Sequence, residues 1–428
     1  MHPRGQPLRS SAGSPRDPPP QRGGADVRTA PVTLRDWLWS GVALILLGVY
    51  ALVIPVGRAV SLGERMLPIL LFLATITIVV NLSAKAGVFA HAAQFAARAA
   101  GGRPMLLWLL VTSLALVCTA FLSLDTTAVL VTPLAISLVW AVRADIVPYA
   151  LIVVWIANIG SLWLPVSNLT NLLSVQSRIM AGTSEYLGET LWPSALGVGV
   201  TIGFTGVIYR RRLSRGRHRP VPAVAAGPES PVPLHPPPRH RALLPCTLTL
   251  MIALPLLATP VPYWLTSSAA AVVLGVVFLR IDRSPLRPSL LPWGAMGLAL
   301  TLVAAVDLLH AGGAEVFVQR ALSTDGEASG LVLLTAGGVV ASNVLNNLPA
   351  YLLLEPAATT APEVAALLIG VNAGPLLTPW ASLATLLWAD QLRRAGITVP
   401  WTSFIVLGCV LVPLVCAVML FPLLIQAA

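Results

Sequence analysis

Four clusters of Asn, Thr and Ser interrupt otherwise apolar sequence, and one of them carries a carboxylate. Asp125 stands in Phe-Leu-Ser-Leu-Asp-Thr-Thr-Ala-Val-Leu, with Thr126 and Thr127 directly after it. Asn343, Asn346 and Asn347 make a second cluster in Ser-Asn-Val-Leu-Asn-Asn-Leu-Pro. A third joins Asn158 to Ser167, Asn168, Thr170 and Asn171, and a fourth joins Asn372 to Thr378, Ser382 and Thr385. Amides and hydroxyls gathered in an apolar setting suit a small, oxygen-rich solute, so these residues are the candidate binding set. A carboxylate at the centre of a bilayer costs about 2.5–3.5 kcal/mol and normally serves a proton, an ion or a substrate. Asp125 is therefore assigned the coupling proton. The bland alternatives are a protonated Asp125 bonded in a helix seam, and polar side chains that only join helices at about 0.6 kcal/mol each. Recurrence of the clusters in both halves of the chain favours a site.

Pro133, Pro165, Pro349, Pro375 and Pro379 fall beside these clusters. Each removes a backbone donor and breaks the local helical ladder. Unwound backbone is tolerated at membrane depth only where it lines a cavity or is covered by protein. Half-helix N-termini then attract anions or lone pairs, and half-helix C-termini attract cations or protonated groups.

The clusters are duplicated. Asn158-Ile-Gly-Ser-Leu-Trp-Leu-Pro-Val-Ser-Asn-Leu-Thr-Asn-Leu-Leu173 aligns without gaps on Asn372-Ala-Gly-Pro-Leu-Leu-Thr-Pro-Trp-Ala-Ser-Leu-Ala-Thr-Leu-Leu387. Asn, Gly, Pro and four Leu coincide, Asn168 meets Ser382, and Asn171 meets Thr385. Upstream, Leu124-Asp-Thr-Thr127 and Leu345-Asn-Asn347 form a looser pair. Two halves with interrupted apolar segments in matching places are the mark of a secondary transporter.

The elements that must hold these clusters are legible from composition. The chain has 428 residues, 56% hydrophobic and only 10% charged, against about 25% charged in soluble domains. That excludes a soluble globular protein and, for most of the length, a disordered one. Apolar runs near the bilayer thickness predict an all-α polytopic membrane protein of about 10 to 12 spans, some of them broken. Its parts are read as a disordered Arg/Pro-rich tail over 1–36, transmembrane halves over 37–209 and 243–428, and an Arg/Pro-rich linker over 210–242. The linker holds eight Arg, eight Pro and a single acid, Glu229, which forbids a packed core. Arg210, Arg211 and Arg212 directly follow a span, so the linker and the basic N-terminal tail are placed in the cytoplasm. Trp37, Trp39, Trp264 and Trp401 beside span boundaries read as interfacial anchors.

A net charge of +10 rests on 26 Arg and the single Lys85. The arginines cluster outside the apolar runs, so they report topology and not nucleic-acid binding. Lys85 sits in Asn-Leu-Ser-Ala-Lys-Ala-Gly, which is no phosphate-binding loop. Active transport must then draw on an ion gradient or on a separate ATPase. Cys118, Cys246, Cys409 and Cys416 form no CxxC pair, which argues against a disulfide framework, a zinc site or any other metal centre. No cofactor is expected. Asp307, Glu355 and Asp390 fall at span ends; Asp307 is read as an ordinary solvated carboxylate and the other two are given no role.

At these residues the chain resembles the arsenite permease (arsenical pump membrane protein) family, within an ion-transporter superfamily that includes citrate and dicarboxylate carriers. Leu124-Asp-Thr-Thr-Ala-Val-Leu-Val-Thr-Pro133, Ser167-Asn-Leu-Thr-Asn-Leu172, Ser342-Asn-Val-Leu-Asn-Asn-Leu-Pro349 and Gly374-Pro-Leu-Leu-Thr-Pro-Trp-Ala-Ser-Leu-Ala-Thr-Leu-Leu-Trp388 carry the likeness, which extends from about residue 37 to 425. The resemblance implies an inverted repeat with broken helices and re-entrant hairpins, working as an elevator-type carrier in the plasma membrane. Asp125 to Thr127 and Asn346 to Asn347 would be hairpin tips, faced by the unwound segments Ser167 to Asn171 and Thr378 to Thr385. It also implies export of arsenite or antimonite driven by protons, with a separate cytoplasmic ATPase in some members and a homodimer in some branches. One departure stands out. Where the family leads us to expect an acid before Gly-Pro and a base after it, this chain has Asn372 and Leu376.

Arsenite near neutral pH is mainly uncharged arsenous acid, with three hydroxyls and a lone pair. Capture by three thiolates does not suit this chain, because Cys118 alone lies near a polar cluster, and Cys409 and Cys416, which could share a helix face, lack a third partner. Hydrogen bonding by Asn, Ser and Thr suits it better. Three other readings compete. A sodium/proton antiporter would need carboxylates for the cation, and only Asp125 is well placed. A dicarboxylate or citrate carrier would show Ser-Asn-Thr tips and Thr-Pro-Pro-Asn in both halves, of which Ser342-Asn343 is a partial match. A non-transporting scaffold would act through the linker.

Overall fold

The computed structural model describes residues 34–177, 179–180, 182–214, 240–323 and 326–427. Most of the expected tail and linker, residues 1–33 and 215–239, lies outside them. The chain divides at Ile45. The first unit is described only by the start of α1 (Leu34–Val53); the second begins at Leu46 and holds every later element.

Among the described residues every regular element is a helix. The first half continues with α2 (Val56–Ala86), α3 (Val88–Ala100), α4 (Pro104–Leu122), α5 (Leu124–Val142), α6 (Ile146–Ile159), α7 (Leu169–Val175) and α8 (Thr183–Ser214). The second contains α9 (His240–Leu257), α10 (Tyr263–Ile281), α11 (Trp293–Ala311), α12 (Ala314–Leu322), α13 (Glu327–Leu345) and α14 (Asn347–Leu354), then α15 (Ala361–Ala373), α16 (Leu383–Arg394) and α17 (Trp401–Gln426). Among the described residues, nine helices are long and apolar enough to cross a bilayer, and three shorter apolar ones accompany them. The expected 10 to 12 crossings fall within the range from the nine long helices to the twelve apolar helices in all.

Local signals explain the helix starts. Pro104 opens α4 from its first turn, where a missing N–H costs nothing. Asp145 caps α6 by accepting from Val147 N at 3.0 Å. Thr360 and Glu363 form a reciprocal capping box on α15. The linker's first residues are not yet loop, because α8 continues through Arg210, Arg211 and Arg212 to Ser214.

The two most enclosed helices are α6 and α15. From Pro148 to Ile159 and from Val364 to Ala373 every residue is buried. Helices apolar on all sides belong at the centre of a bundle, and these two lead into the polar clusters. Around them, α4 and α5 pack on α6, α13 packs on α15, and α17 packs on α8 and α15. The α13–α15 crossing is so close that a Cβ on Gly370 would strike the backbone carbonyl of Thr335, and one on Gly338 would lie 3.1 Å from the Gly370 Cα. Elsewhere, α2 packs on α9 and α10.

The acids at the span ends are paired. Asp307 Oδ1 accepts from Arg58 Nε at 2.9 Å and Nη2 at 2.7 Å, and Asp307 Oδ2 accepts from Tyr50 Oη at 3.0 Å. It is 15% exposed, so the reading of a solvated carboxylate is corrected by tertiary contact with α2, far away in sequence. Glu355 pairs with Arg65. Asp390 meets only its helical neighbours Arg393 and Arg394 among the described residues.

Candidate functional site

Two broken segments repeat with the same internal register. In the first half α6 ends at Ile159, 3₁₀ turns cover Gly160–Trp163 and Pro165–Ser167, and α7 begins at Leu169. In the second α15 ends at Ala373, 3₁₀ turns cover Gly374–Leu376 and Pro379–Ala381, and α16 begins at Leu383. The break before α7 is extended at Asn168 (φ −147°, ψ 146°), and the break before α16 is extended at Ser382 (φ −142°, ψ 140°). The ungapped match between the two sequences is thus also a match of backbone structure.

The other two clusters sit at single-residue breaks. Ser123 separates α4 from α5 at φ 136°, and Asn346 separates α13 from α14 at φ 97°. Both are non-glycine residues in a backbone region that L side chains rarely enter, where strain costs about 1–3 kcal/mol. Ser123 is compensated: its Oγ accepts from Thr126 N at 3.2 Å and bonds Thr126 Oγ1 at 2.9 Å. Asn346 Nδ2 donates to the Trp380 carbonyl at 3.0 Å.

These four breaks meet at one cavity of about 130 Å³. Ser123, Asp125, Thr126, Asn168, Asn346, Asn347 and Ser382 supply its polar lining. Leu124, Leu169, Asn347 and Leu383, the first residues of α5, α7, α14 and α16, all border it, so four helix N-termini converge there. The far wall is Phe72, Leu73, Ile76 and Thr77 of α2 with Ala295, Leu298, Ala299 and Leu302 of α11. Asp125 is the one formally charged lining residue, and among the described residues its carboxylate has no hydrogen-bond partner. Among the described residues, none that lines the cavity is Lys, Arg, His or Cys.

The rest of the candidate set stands behind this lining. Asn372 Oδ1 accepts from Asn168 Nδ2 at 2.8 Å and competes at 2.8 Å with the Asn158 carbonyl at 2.6 Å for the one Ser161 Oγ proton, while its Nδ2 donates to the Leu368 carbonyl at 2.8 Å. Asn158 mirrors it, donating from Nδ2 to the Val154 carbonyl at 2.9 Å and to Thr385 Oγ1 at 3.4 Å. Asn171 Nδ2 donates to the carbonyls of Ser161 (2.7 Å) and Leu164 (3.3 Å), and its Oδ1 accepts from Thr170 Oγ1 at 3.2 Å. Ser167 Oγ donates to the Ala120 carbonyl at 2.5 Å, and Thr127 Oγ1 to the Ser123 carbonyl at 3.1 Å. Asn343 and Thr378 clasp each other at 2.6 Å, with Asn343 Nδ2 also donating to the Gly374 carbonyl at 3.0 Å. These side chains satisfy backbone groups that the breaks leave open, an obligation that falls on any unwound segment away from water.

The mirrored pairs are not equal. Asn158 Oδ1 and Ser382 Oγ are buried and have no partner among the described residues, whereas the corresponding Asn372 Oδ1 and Asn168 Nδ2 bond each other. Asn346 and Ser382 also give no side-chain cap to α14 and α16, while Ser123 and Asn168 cap α5 and α7. The halves therefore leave different groups open: Asn158 Oδ1 and the Asp125 carboxylate in the first, Ser382 Oγ in the second.

Sequence reasoning missed Ser123 and Ser161. They stand in Leu-Ser-Leu-Asp and Asn-Ile-Gly-Ser, and adjacency to a break was the available signal. Cys118 is 3% exposed on α4 and does not line the cavity. Leu376 is wholly buried and Asn372 nearly so, which places both positions where the resemblance implied charges in the protein interior.

A helical bundle of membrane length, with broken segments converging on a polar cavity, defines a multi-pass membrane transporter. The chain belongs to the citrate transporter family, whose description "Citrate transporter" is matched by residues 34–367. It is 26% identical over 363 residues to an arsenical pump membrane protein of Yersinia enterocolitica, covering 79% of this chain and 82% of that one. A protein of the same description from Escherichia coli is 25% identical over 363 residues with the same coverage. Among solved structures, the Alcanivorax borkumensis YdaH transporter, described as having an unusual topology, matches with a TM-score of 0.56. That match covers 90% of this chain and 97% of the other at 15% identity, a likeness of fold.

Proposed function

We propose that this transporter exports arsenite or antimonite across the cytoplasmic membrane in exchange for protons, with Asp125 carrying the coupling proton. The composition of the cavity wall carries the reading: hydroxyls, amides and one carboxyl, with no cationic side chain and no thiol. A neutral trihydroxy solute hydrogen-bonds to such a wall without bringing charge into it. Citrate or a dicarboxylate would bring two or three charges, and buried charge demands paired partners. The four helix N-termini offer only partial positive charge. A weakly held, hydroxyl-bonded solute is also released faster than one bound through three sulfurs. Exchange follows if Asp125 cannot be empty of both proton and solute when the hairpin tips change sides by an elevator-like movement. The names of the arsenical pump relatives agree with this reading.

The test is arsenite accumulation in everted membrane vesicles with an imposed proton gradient and no ATP, beside the Asp125→Asn variant. Gradient-dependent uptake that the variant loses supports exchange through Asp125. Uptake kept by the variant moves the proton elsewhere. No uptake by the parent chain without ATP, but uptake with the cytosolic fraction and ATP, would assign the energy to a separate ATPase. No uptake in either case removes arsenite, and sodium exchange becomes the next assay.

A further inference from the structure

Arg65 lies on α2, two turns before the stretch of that helix that forms the cavity's far wall. Its guanidinium is 24% exposed and faces two chain segments that belong to opposite halves. Nη1 donates to Glu355 Oε2 at 3.0 Å and Nη2 donates to Glu355 Oε1, at the end of α14. Nη2 also donates to the Leu173 carbonyl at 2.8 Å, in the last turn of α7. Tyr351 Oη donates to Glu355 Oε1 at 3.1 Å and fixes the carboxylate from the other side. The helices α14 and α7 start at the cavity, with Asn347 and Leu169. One cation thus grips the far ends of both short half-helices whose near ends border the cavity.

The helix that carries Arg65 packs on α7 and also on elements away from the half-helices, while α11 packs on α14. α2 packs on α9 and α10, Thr75 Oγ1 meets Ser267 Oγ at 2.7 Å, and Arg58 binds Asp307 of α11. For the cavity to open to the opposite side, its α2–α11 wall must part from the half-helix ends, and the Arg65 contacts cross that boundary. Arg65 Nε is buried without a partner among the described residues, so the guanidinium is not at its best-satisfied geometry here. We infer that Arg65 is a positioning residue that clamps α7 and α14 against α2 in the cavity state seen here, and that release of the Arg65–Glu355 pair accompanies the change of access. The inference rests on the transporter reading only in requiring a cavity that opens to both sides; the identity of the solute does not enter.

Side-resolved labelling tests it. Thr77→Cys is placed in the cavity wall of a full-length chain whose four native cysteines are replaced by Ala. An impermeant maleimide is then applied to right-side-out and to everted vesicles. With the pair intact, labelling is expected to be strongly one-sided. Glu355→Gln and Arg65→Gln should each move the ratio of the two labelling rates toward the other side by about tenfold, a shift typical of a biased two-state equilibrium. The exchanged pair, Arg65→Glu with Glu355→Arg, should bring the ratio back, a recovery that a merely structural role would not produce. An unchanged ratio in either Gln variant overturns the clamp. So does an exchanged pair that leaves the ratio shifted. If the Gln variants do not reach the membrane, Arg65→Lys decides: it keeps the charge but lacks the fork that reaches Glu355 and Leu173 together, and an unmoved ratio overturns the proposal. A shifted ratio in a chain that accumulates no arsenite upholds the clamp and removes the substrate reading. Arsenite transport with an unmoved ratio does the reverse.

Discussion

Asn168 Nδ2 donates to Asn372 Oδ1 at 2.8 Å across a sequence separation of 204 residues. The bond ties the break before α7 to the end of α15, and so locks one half of the repeat into the other. It also gives the uncharged residue at position 372 a defined task. Asn372 accepts from the buried Asn168 amide, lies 2.8 Å from the Ser161 hydroxyl and gives its own Nδ2 to the Leu368 carbonyl, so it serves both halves without needing a base nearby. With Leu376 apolar and fully buried, neither of these two positions carries a charge that would need a buried partner.

Asn372→Ala leaves Asn168 Nδ2 without its acceptor, while Ser161 keeps the Asn158 carbonyl at 2.6 Å, and should cost about 2 kcal/mol. Asn158→Ala removes a side chain whose Oδ1 has no partner among the described residues, and should cost about 1 kcal/mol. Thermal unfolding of the detergent-purified variants would rank them, and equal losses would deny the asymmetry between the mirrored residues.

Ser382→Ala should separate binding from stability. Its Oγ is buried, borders the cavity and has no partner among the described residues, so its removal should leave stability within about 0.5 kcal/mol of the parent. If that hydroxyl serves the solute, the half-saturating arsenite concentration in vesicles should rise by about tenfold, the equivalent of one lost hydrogen bond. A fall in melting temperature with unaltered saturation would return Ser382 to a structural role.

Asn346 has φ 97°, so the identity of a replacement should matter more than its size. Asn346→Ala loses the bond to the Trp380 carbonyl and keeps the strain; Asn346→Gly loses the same bond and relieves it. The Gly variant should be the more stable of the two by about 1 kcal/mol. Comparison of their unfolding midpoints gives the strain directly.

Gly370→Ala should be among the most damaging single-methyl additions in this chain. The new Cβ would meet the Thr335 backbone carbonyl, which cannot rotate away, and the crossing also carries the bond from Thr335 Oγ1 to the Ala366 carbonyl at 2.8 Å. Forced overpacking of this kind costs about 1–3 kcal/mol. Retention of parental yield and melting temperature would show that α13 and α15 can separate more easily than their contact implies.

Where the two longer breaks fall was readable in advance. The matching of Asn, Gly and Pro between the two sixteen-residue segments gave the register that the 3₁₀ turns and helix starts follow, because proline and glycine act on their own backbone and need no distant partner. Which of the polar residues face the cavity was not readable. Thr127 and Thr126 are neighbours of the same type, yet Thr127 turns back onto the Ser123 carbonyl while Thr126 borders the cavity. A helix rotates successive side chains by about 100°, and only its packing decides which of them meets open space. Asn168 and Asn171 divide in the same way, one at the cavity and the other spent on two backbone carbonyls.

Composition and apolar run length alone determined that the chain is a helical membrane protein, since in a bilayer every backbone group must find its partner within a helix or a closed barrel. Local breakers and an internal repeat determined where the two longer interruptions fall, whereas Pro133, expected to break its helix, lies within α5. The tertiary structure decided the rest: that four interrupted ends share one cavity, that Asp125 is its charged wall, and that Asp307 and Glu355 answer to Arg58 and Arg65 on α2. These are relations between residues tens to hundreds of positions apart. They arise from how whole helices pack, and helix packing is set by the summed fit of many apolar contacts that no single stretch of sequence contains.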